Sequence, residues 1–281
     1  MSHYNNASEL DKLTLGKTTK YISQYDPSLL QGVPRALNRK ALNLTNENLP
    51  FKGTDVWYGY ELSWLNSKGK PIVAVAEFSF PCTSPNIVES KSFKLYLNSF
   101  NQTKFDDILD VQKVLSQDLS AICGAQATVK LFNVDDCPAL NINHLAATCL
   151  DDIEVEINEY HLQPQLLALD KNQATIDESL VSHLLKSNCL ITNQPDWASI
   201  YISYSGKKID HESLLKYLIS FRQHNEFHEQ CVERIFCDIQ THCHPQNLTV
   251  LARYTRRGGL DINPFRSTEN AEVPFARTLR Q

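Results

Sequence analysis

One cysteine and one aspartate stand either side of a Gln-Pro turn signal in Lys186-Ser187-Asn188-Cys189-Leu190-Ile191-Thr192-Asn193-Gln194-Pro195-Asp196-Trp197. A thiol is a poor nucleophile until ionised, and with an unperturbed pKa of ~8.5 only a few per cent is thiolate at neutral pH. Extended segments flanking Gln194-Pro195 would fold Asp196 back toward Cys189, giving the thiol a proton acceptor that can later return the proton. The same two residues also suit a small buried hydrophobe and a turn former. A second group follows at Asn225-Glu226-Phe227-His228-Glu229-Gln230-Cys231, where a histidine and carboxylates open an expected helix. An imidazole beside a carboxylate is an acid/base pair, while acidic residues there would also simply complement the helix dipole.

Three further constellations carry chemistry. His224 and His228 are spaced i, i+4, with Cys231, Cys237, His242, Cys243 and His244 further on. That suggests a metal, but no Cys-x-x-Cys pair or established zinc spacing occurs, and the cysteines suit packing equally. Arg253, Arg256 and Arg257 beside Gly258-Gly259 combine cationic forks with a closely approachable backbone, which suits a phosphate; two glycines in a hairpin turn are the plainer account. Glu89-Ser90-Lys91 sets an acceptor, a hydroxyl and a cation at a strand-to-helix junction, where helix capping is the alternative. Among the nine glycines there is no Gly-x-Gly-x-x-Gly or Walker-type loop, so a nucleotide would be held by other means.

The elements that must position these residues are legible from periodicity. Residues 56–64 and 71–80 read as a hairpin about Lys68-Gly69-Lys70-Pro71. Ile108, Val111, Leu115, Leu119 and Ile122 predict a helix stopped by Gly124, and 126–134 a strand with Val129 and Leu131 inward. Later come a strand at 199–204, a helix over 212–223, and a second helix carrying the stripe Phe227, Cys231, Ile235 and Ile239, with Asn225 as its expected cap. Leu248, Val250, Ala252 and Tyr254 alternate as a strand. Tyr96-Leu97-Asn98-Ser99-Phe100 recurs 121 residues later as Tyr217-Leu218-Ile219-Ser220-Phe221, and Thr128-Val129 recurs as Thr249-Val250 at the same offset. Two tandem α+β modules with antiparallel sheets follow, and the first lacks counterparts of Cys189, Asp196 and His228.

The chain of 281 residues exceeds the usual single-domain size, and a net charge of −5 with pI near 6.0 gives no reason to expect nucleic-acid or anionic-membrane binding. The N-terminus lacks the basic and apolar regions of a signal peptide, and no apolar run is long enough to span a bilayer, so a cytoplasmic location with reduced cysteines is expected. Residues 1–50 read as an arm packed on a first module at 51–155, with the second module at 156–281.

Glu89-Ser90-Lys91-Ser92-Phe93-Lys94-Leu95-Tyr96 resembles the signature of the NADPH-dependent 7-cyano-7-deazaguanine reductases, the QueF nitrile reductases, and residues 186–197, 221–234 and 254–266 resemble their long, bimodular branch. The resemblance implies tandem tunnelling-fold (T-fold) modules, each an antiparallel sheet with two helices on one face, and a homodimer. It implies reduction of the nitrile preQ0 to the aminomethyl compound preQ1 by two NADPH, with no metal, in queuosine tRNA modification. Position by position, it puts the thioimide-forming nucleophile on Cys189, the proton donor on Asp196 and a later proton source on His228. It puts the purine on Val88, Glu89, Ser90, His228 and Glu229, and NADPH on Ser90, Lys91, Arg257 and Gly258. Two other readings stay open: a zinc-dependent T-fold enzyme of the GTP cyclohydrolase kind, and a catalytically silent purine-binding module.

Overall fold

Alternating apolar residues along two long strands, and two helices with stripes to cover them, organise the first half of the chain. The computed structural model describes residues 21–137, 140–172, 174–274 and 277–281. The first part of the arm expected over residues 1–50 therefore lies outside the described residues. The chain divides into two compact units, the first taking residues 21–48, Asp55–Asn141 and Arg256–Ile262, and the second Leu49–Thr54, Ile142–Thr255 and Asn263–Gln281.

In the first unit, β1 (Gly32–Pro34) pairs antiparallel with β4 (Asn86–Val88), and a short helix α1 spans Ala36–Arg39. The main strands are β2 (Lys52–Leu65), β3 (Pro71–Pro81) and β5 (Thr128–Phe132), with the start of β10 (Leu260–Ser267), in the order β5-β3-β2-β10. Ala74, Ala76, Phe78 and Phe80 of β3 and Leu62 and Trp64 of β2 point to one face, as the period of two requires, and are buried. Helices α2 (Ser90–Ser99) and α3 (Ile108–Cys123) cover that face through Phe93, Tyr96, Val111, Leu115 and Leu119. Helix α3 starts on Asp107, whose carboxylate accepts from the Leu109 N–H, and stops where expected at Gly124, left-handed at φ 73°. Leu131 packs against the core as anticipated, but partly buried.

In the second unit the order is β10-β9-β8-β7-β6, formed by β6 (Thr148–Cys149), β7 (Thr175–Asn188), β8 (Pro195–Lys207), β9 (Asn247–Tyr254) and the rest of β10. β7, β8 and β9 are antiparallel, whereas the two-residue β6 pairs parallel to β7. Helix α4 (His211–Ile219) gives way to a 3-10 turn at Ser220–Gln223, so the helix expected over 212–223 tightens at its end. Helix α5 (His228–Cys243) buries Cys231, Ile235 and Ile239 completely, realising the stripe.

The sequence repeat has a physical echo in each unit. Tyr96 of α2 donates to Asp118 of α3 at 2.6 Å, and Tyr217 of α4 donates to Asp238 of α5 at 2.7 Å. Ser99 and Ser220 each return a hydroxyl to the preceding tyrosine carbonyl at 2.6 Å. At the helix starts, Glu89 and Asp210 occupy equivalent cap positions, accepting from the N–H groups of Ser92 and Ser213 respectively.

Candidate functional site

The hairpin β7–β8 settles where Cys189 and Asp196 stand. Ser187 pairs with Asp196 and Asn188 with Pro195, and the ladder continues one step as Cys189 N–H donates to Gln194 O at 2.8 Å. Side chains at 187 and 189 on one strand, and at 194 and 196 on the other, therefore share a face. Cys189 and Asp196 are diagonal neighbours on it, a placement that separates side-chain origins by about 7 Å and leaves room for a small electrophile between them. Asn193 closes the turn in the left-handed region at φ 55°, and its N–H donates to Cys189 O at 3.0 Å.

Helix α5 brings the third group. Its first residue, His228, places Nε2 3.5 Å from Asp196 Oδ1, with Asp196 almost wholly buried and His228 open to solvent at 17% of its side chain. Behind it the His228 ring meets Tyr254 edge-on at 4.1 Å between centroids. Tyr254 and Cys231 are both buried, and burial pushes both their protons' pKa values well up, so neither ionises near neutrality. Glu229, next on the helix, is 3% exposed. The helix has no side-chain cap at Phe227.

Asn225 corrects the capping expectation. Its amide instead donates to Cys189 O at 3.2 Å and to Asn193 Oδ1 at 2.9 Å, latching the nucleophile's turn. It lies two residues too early to cap, because Asn188 forms a bridge with Asn225 that holds the backbone extended: Asn188 N–H donates to His224 O and Glu226 N–H to Asn188 O. Glu226 anchors this segment. Buried alone its carboxyl would be raised, but the hydrogen bond from His224 and the forked Arg234 guanidinium bring it down to about 2. Periodicity missed this ion pair, because Glu226 precedes the helix and pairs with a residue eight positions on.

The first unit gathers the other predicted group. Val88 ends β4, and Glu89 is fully buried, its two carboxylate oxygens accepting the N–H groups of Lys91 at 2.8 Å and Ser92 at 2.7 Å. Capping is thus real, yet burial outweighs those donors and raises the carboxyl. Ser90 opens α2. Lys91 lies over the Tyr21 ring at 5.3 Å. Arg257 and Leu260 exchange backbone bonds around Gly258 and Gly259, both at positive φ, the two-residue hairpin turn the glycines suggested. Sequence reasoning missed Lys94, whose side chain packs so close that a Cβ on Gly258 would come within 3.2 Å of it. Arg256 stacks over Tyr60 at 4.5 Å. Cations and a bare backbone turn thus meet at one end of α2, a donor set that fits an anionic cofactor.

The groove of about 370 Å³ in the second unit lies elsewhere, lined by Ser179, Ser203, Thr249 and Ser267, and takes in none of the predicted site residues. The histidines and cysteines from His224 to His244 do not gather into a metal cluster among the described residues; the group that does is Cys149, Asp151 and His183.

Residues 21–131 match the family described as nitrile reductase, 7-cyano-7-deazaguanine-reductase N-term, and residues 195–273 match the QueF-like protein family. The NADPH-dependent 7-cyano-7-deazaguanine reductase of Colwellia psychrerythraea (strain 34H) is 68% identical over 286 residues, covering 100% of both chains. The chain belongs to the 7-cyano-7-deazaguanine reductase family. A solved archaeosine synthase QueF-Like structure in the apo form is similar over 35% of this chain and 96% of that one, with 15% identity and a TM-score of 0.30. In this chain a carboxylate, Asp196, shares the hairpin face of the thiol Cys189, and the His228 imidazole lies 3.5 Å from that carboxylate.

Proposed function

We propose that the chain is an NADPH-dependent nitrile reductase converting preQ0 to preQ1 through a thioimide on Cys189, in queuosine tRNA modification. The observation that carries this reading is Cys189 and Asp196 as diagonal neighbours on one hairpin face, with His228 Nε2 3.5 Å from the aspartate. A nitrile carbon is electrophilic but unactivated. Cys189 Sγ adds to it, its proton passes to Asp196, and the aspartic acid returns that proton to the developing nitrogen anion. The product is a neutral thioimide, a better hydride acceptor. NADPH, when bound, supplies hydride, and the four-electron change to an amine needs two of them. Cys189 leaves as thiolate after the first reduction, and His228 donates a proton in the later stage. Lys91, Arg257 and the backbone at Gly258, with Ser90, are assigned to the cofactor, the cations meeting its phosphates. Glu229 and His228, and Val88, Glu89 and Ser90, are assigned to the purine, whose donor edge the carboxylates accept. At a cap position where Asp is preferred, as at Asp210 in the repeat, the longer Glu89 argues for a task beyond capping.

The repeat supports two tandem T-fold modules at 51–155 and 156–281, after an arm at 1–50. We assign a homodimer in the cytoplasm without direct nucleic-acid binding; among the described residues no helix is long and apolar enough to cross a membrane. The deciding experiment weighs the intact protein after incubation with preQ0 and no NADPH. Thioimide formation conserves atoms, so wild type gains the full mass of preQ0 and Cys189→Ala gains nothing. An unmodified wild type would overturn the assignment.

A further inference from the structure

Cys149, Asp151 and His183 bring a thiol sulfur, a carboxylate oxygen and an imidazole nitrogen within 4.8 Å of one another. We propose that these three side chains form a zinc site that clips the edge strand β6 to β7. Nothing in the nitrile reduction uses them. His183 lies on β7 and Cys189 just past its end, six residues on, roughly 20 Å at ~3.3 Å per residue.

The donor set suits the ion. Thiolate and imidazole together favour zinc over magnesium or calcium, which take oxygen. Thiolate plus carboxylate balances the two positive charges, and three protein ligands leave a fourth tetrahedral position for water, which the exposed Cys149 side admits. The supporting groups are in place as well. Asp151 Oδ1 accepts the Ser182 hydroxyl at 2.7 Å, and Oδ2 accepts the His183 N–H at 2.9 Å, which fixes the carboxylate. His183 Nδ1 is 2.8 Å from Ser199 Oγ, and a partner on one ring nitrogen is what orients a ligating imidazole.

The backbone gives the clip a purpose. β6 has two residues, Thr148 and Cys149, too few to hold itself on a sheet edge. The ladder of β7 with β8 is irregular between Ser182 and Leu185, where His183 sits, and such a bulge re-aims a side chain. Zinc held from both strands would close the loop between them.

The test uses the full chain. Purified protein is stripped with chelator and titrated with Zn²⁺ or Co²⁺. One equivalent should bind, Co²⁺ should give a thiolate-to-metal charge-transfer band, and zinc-edge X-ray absorption on the wild type should show one sulfur with nitrogen and oxygen neighbours. Cys149→Ser should abolish the band, and His183→Gln should weaken binding ~100-fold or more, while Ser199→Ala weakens it ~10-fold. Cys189→Ala should leave the band unchanged, and the stripped wild type should still form the preQ0 adduct at a lower Tm. Absence of sulfur in the wild-type absorption spectrum would overturn the proposal without any variant having to fold, and so would a band that survives Cys149→Ser or vanishes in Cys189→Ala.

Discussion

Glu89 and Glu226 are both buried carboxylates, and burial ends in opposite results. At Glu89 desolvation wins over two backbone donors and the carboxyl is raised; at Glu226 His224 and Arg234 win and it falls to about 2. The linkage signs are therefore opposed. Glu226 contributes stability that is fully present above its unfolded pKa of 4.5 and is lost as pH falls toward 2, on the order of 3 kcal/mol. Urea midpoints measured through that window should fall steeply for wild type and little for Glu226→Gln. Glu89, raised, favours the fold below 4.5 and costs stability as pH rises through its folded pKa. The midpoint of Glu89→Gln should gain on wild type between pH 4 and 8, while preQ0 binding weakens; a difference that does not change with pH would refute the raised carboxyl. For Asp196→Asn, adduct formation and turnover should both slow by about 100-fold or more, as removal of a general acid requires. The approach of Asp196 to Cys189 was expected from a turn at Gln194-Pro195, but the chain turns at 190–193 and Pro195 already opens β8, so the two residues meet across a tighter hairpin than the Gln-Pro signal suggested. Glu226 with Arg234 was not legible, since no helical or strand spacing links them.

At the scale of elements, the turn after β7 is held by a segment from outside the hairpin. Asn225 reaches both the Cys189 carbonyl and Asn193. Asn225→Ala should therefore slow adduct formation while leaving NADPH affinity unchanged, and a Tm drop beyond that of losing one exposed and one part-buried bond would point to a wider structural role. The turn at Gly258 makes the complementary case. With φ at 56° and Lys94 against it, alanine there costs ~1 kcal/mol or more. Gly258→Ala should raise KM for NADPH without touching the adduct, which forms before any cofactor is needed. The helices, their stops at Gly124 and the α5 stripe were readable from spacing and capping chemistry. The parallel pairing of β6 and the tightening of α4 were not, because two residues carry no period and a 3-10 turn shares the apolar spacing of a helix.

Across the whole molecule the two units keep a common frame and have diverged in its details. Asp118 accepts from Tyr96 and also from Tyr25, whereas Tyr217 is the hydroxyl bonded to the half-buried Asp238. Tyr217→Phe should thus cost ~1–3 kcal/mol in chemical denaturation and Tyr96→Phe less, since Asp118 keeps a donor. The frame was legible as a repeat of 121 residues, but its chemistry was not: Cys189 and His228 belong to the second unit alone, and proposing a nitrile as their target took a family resemblance. The units also trade short lengths of chain, residues Leu49–Thr54 going to the second and Arg256–Ile262 to the first. The first unit's sheet therefore waits for a strand that follows β7, β8, α4 and α5 in the chain. During synthesis, β2 must stand with an unpaired edge until then. The Arg257-Gly258 turn arrives with that same late strand, so an interrupted translation product lacks the very turn we assign to NADPH.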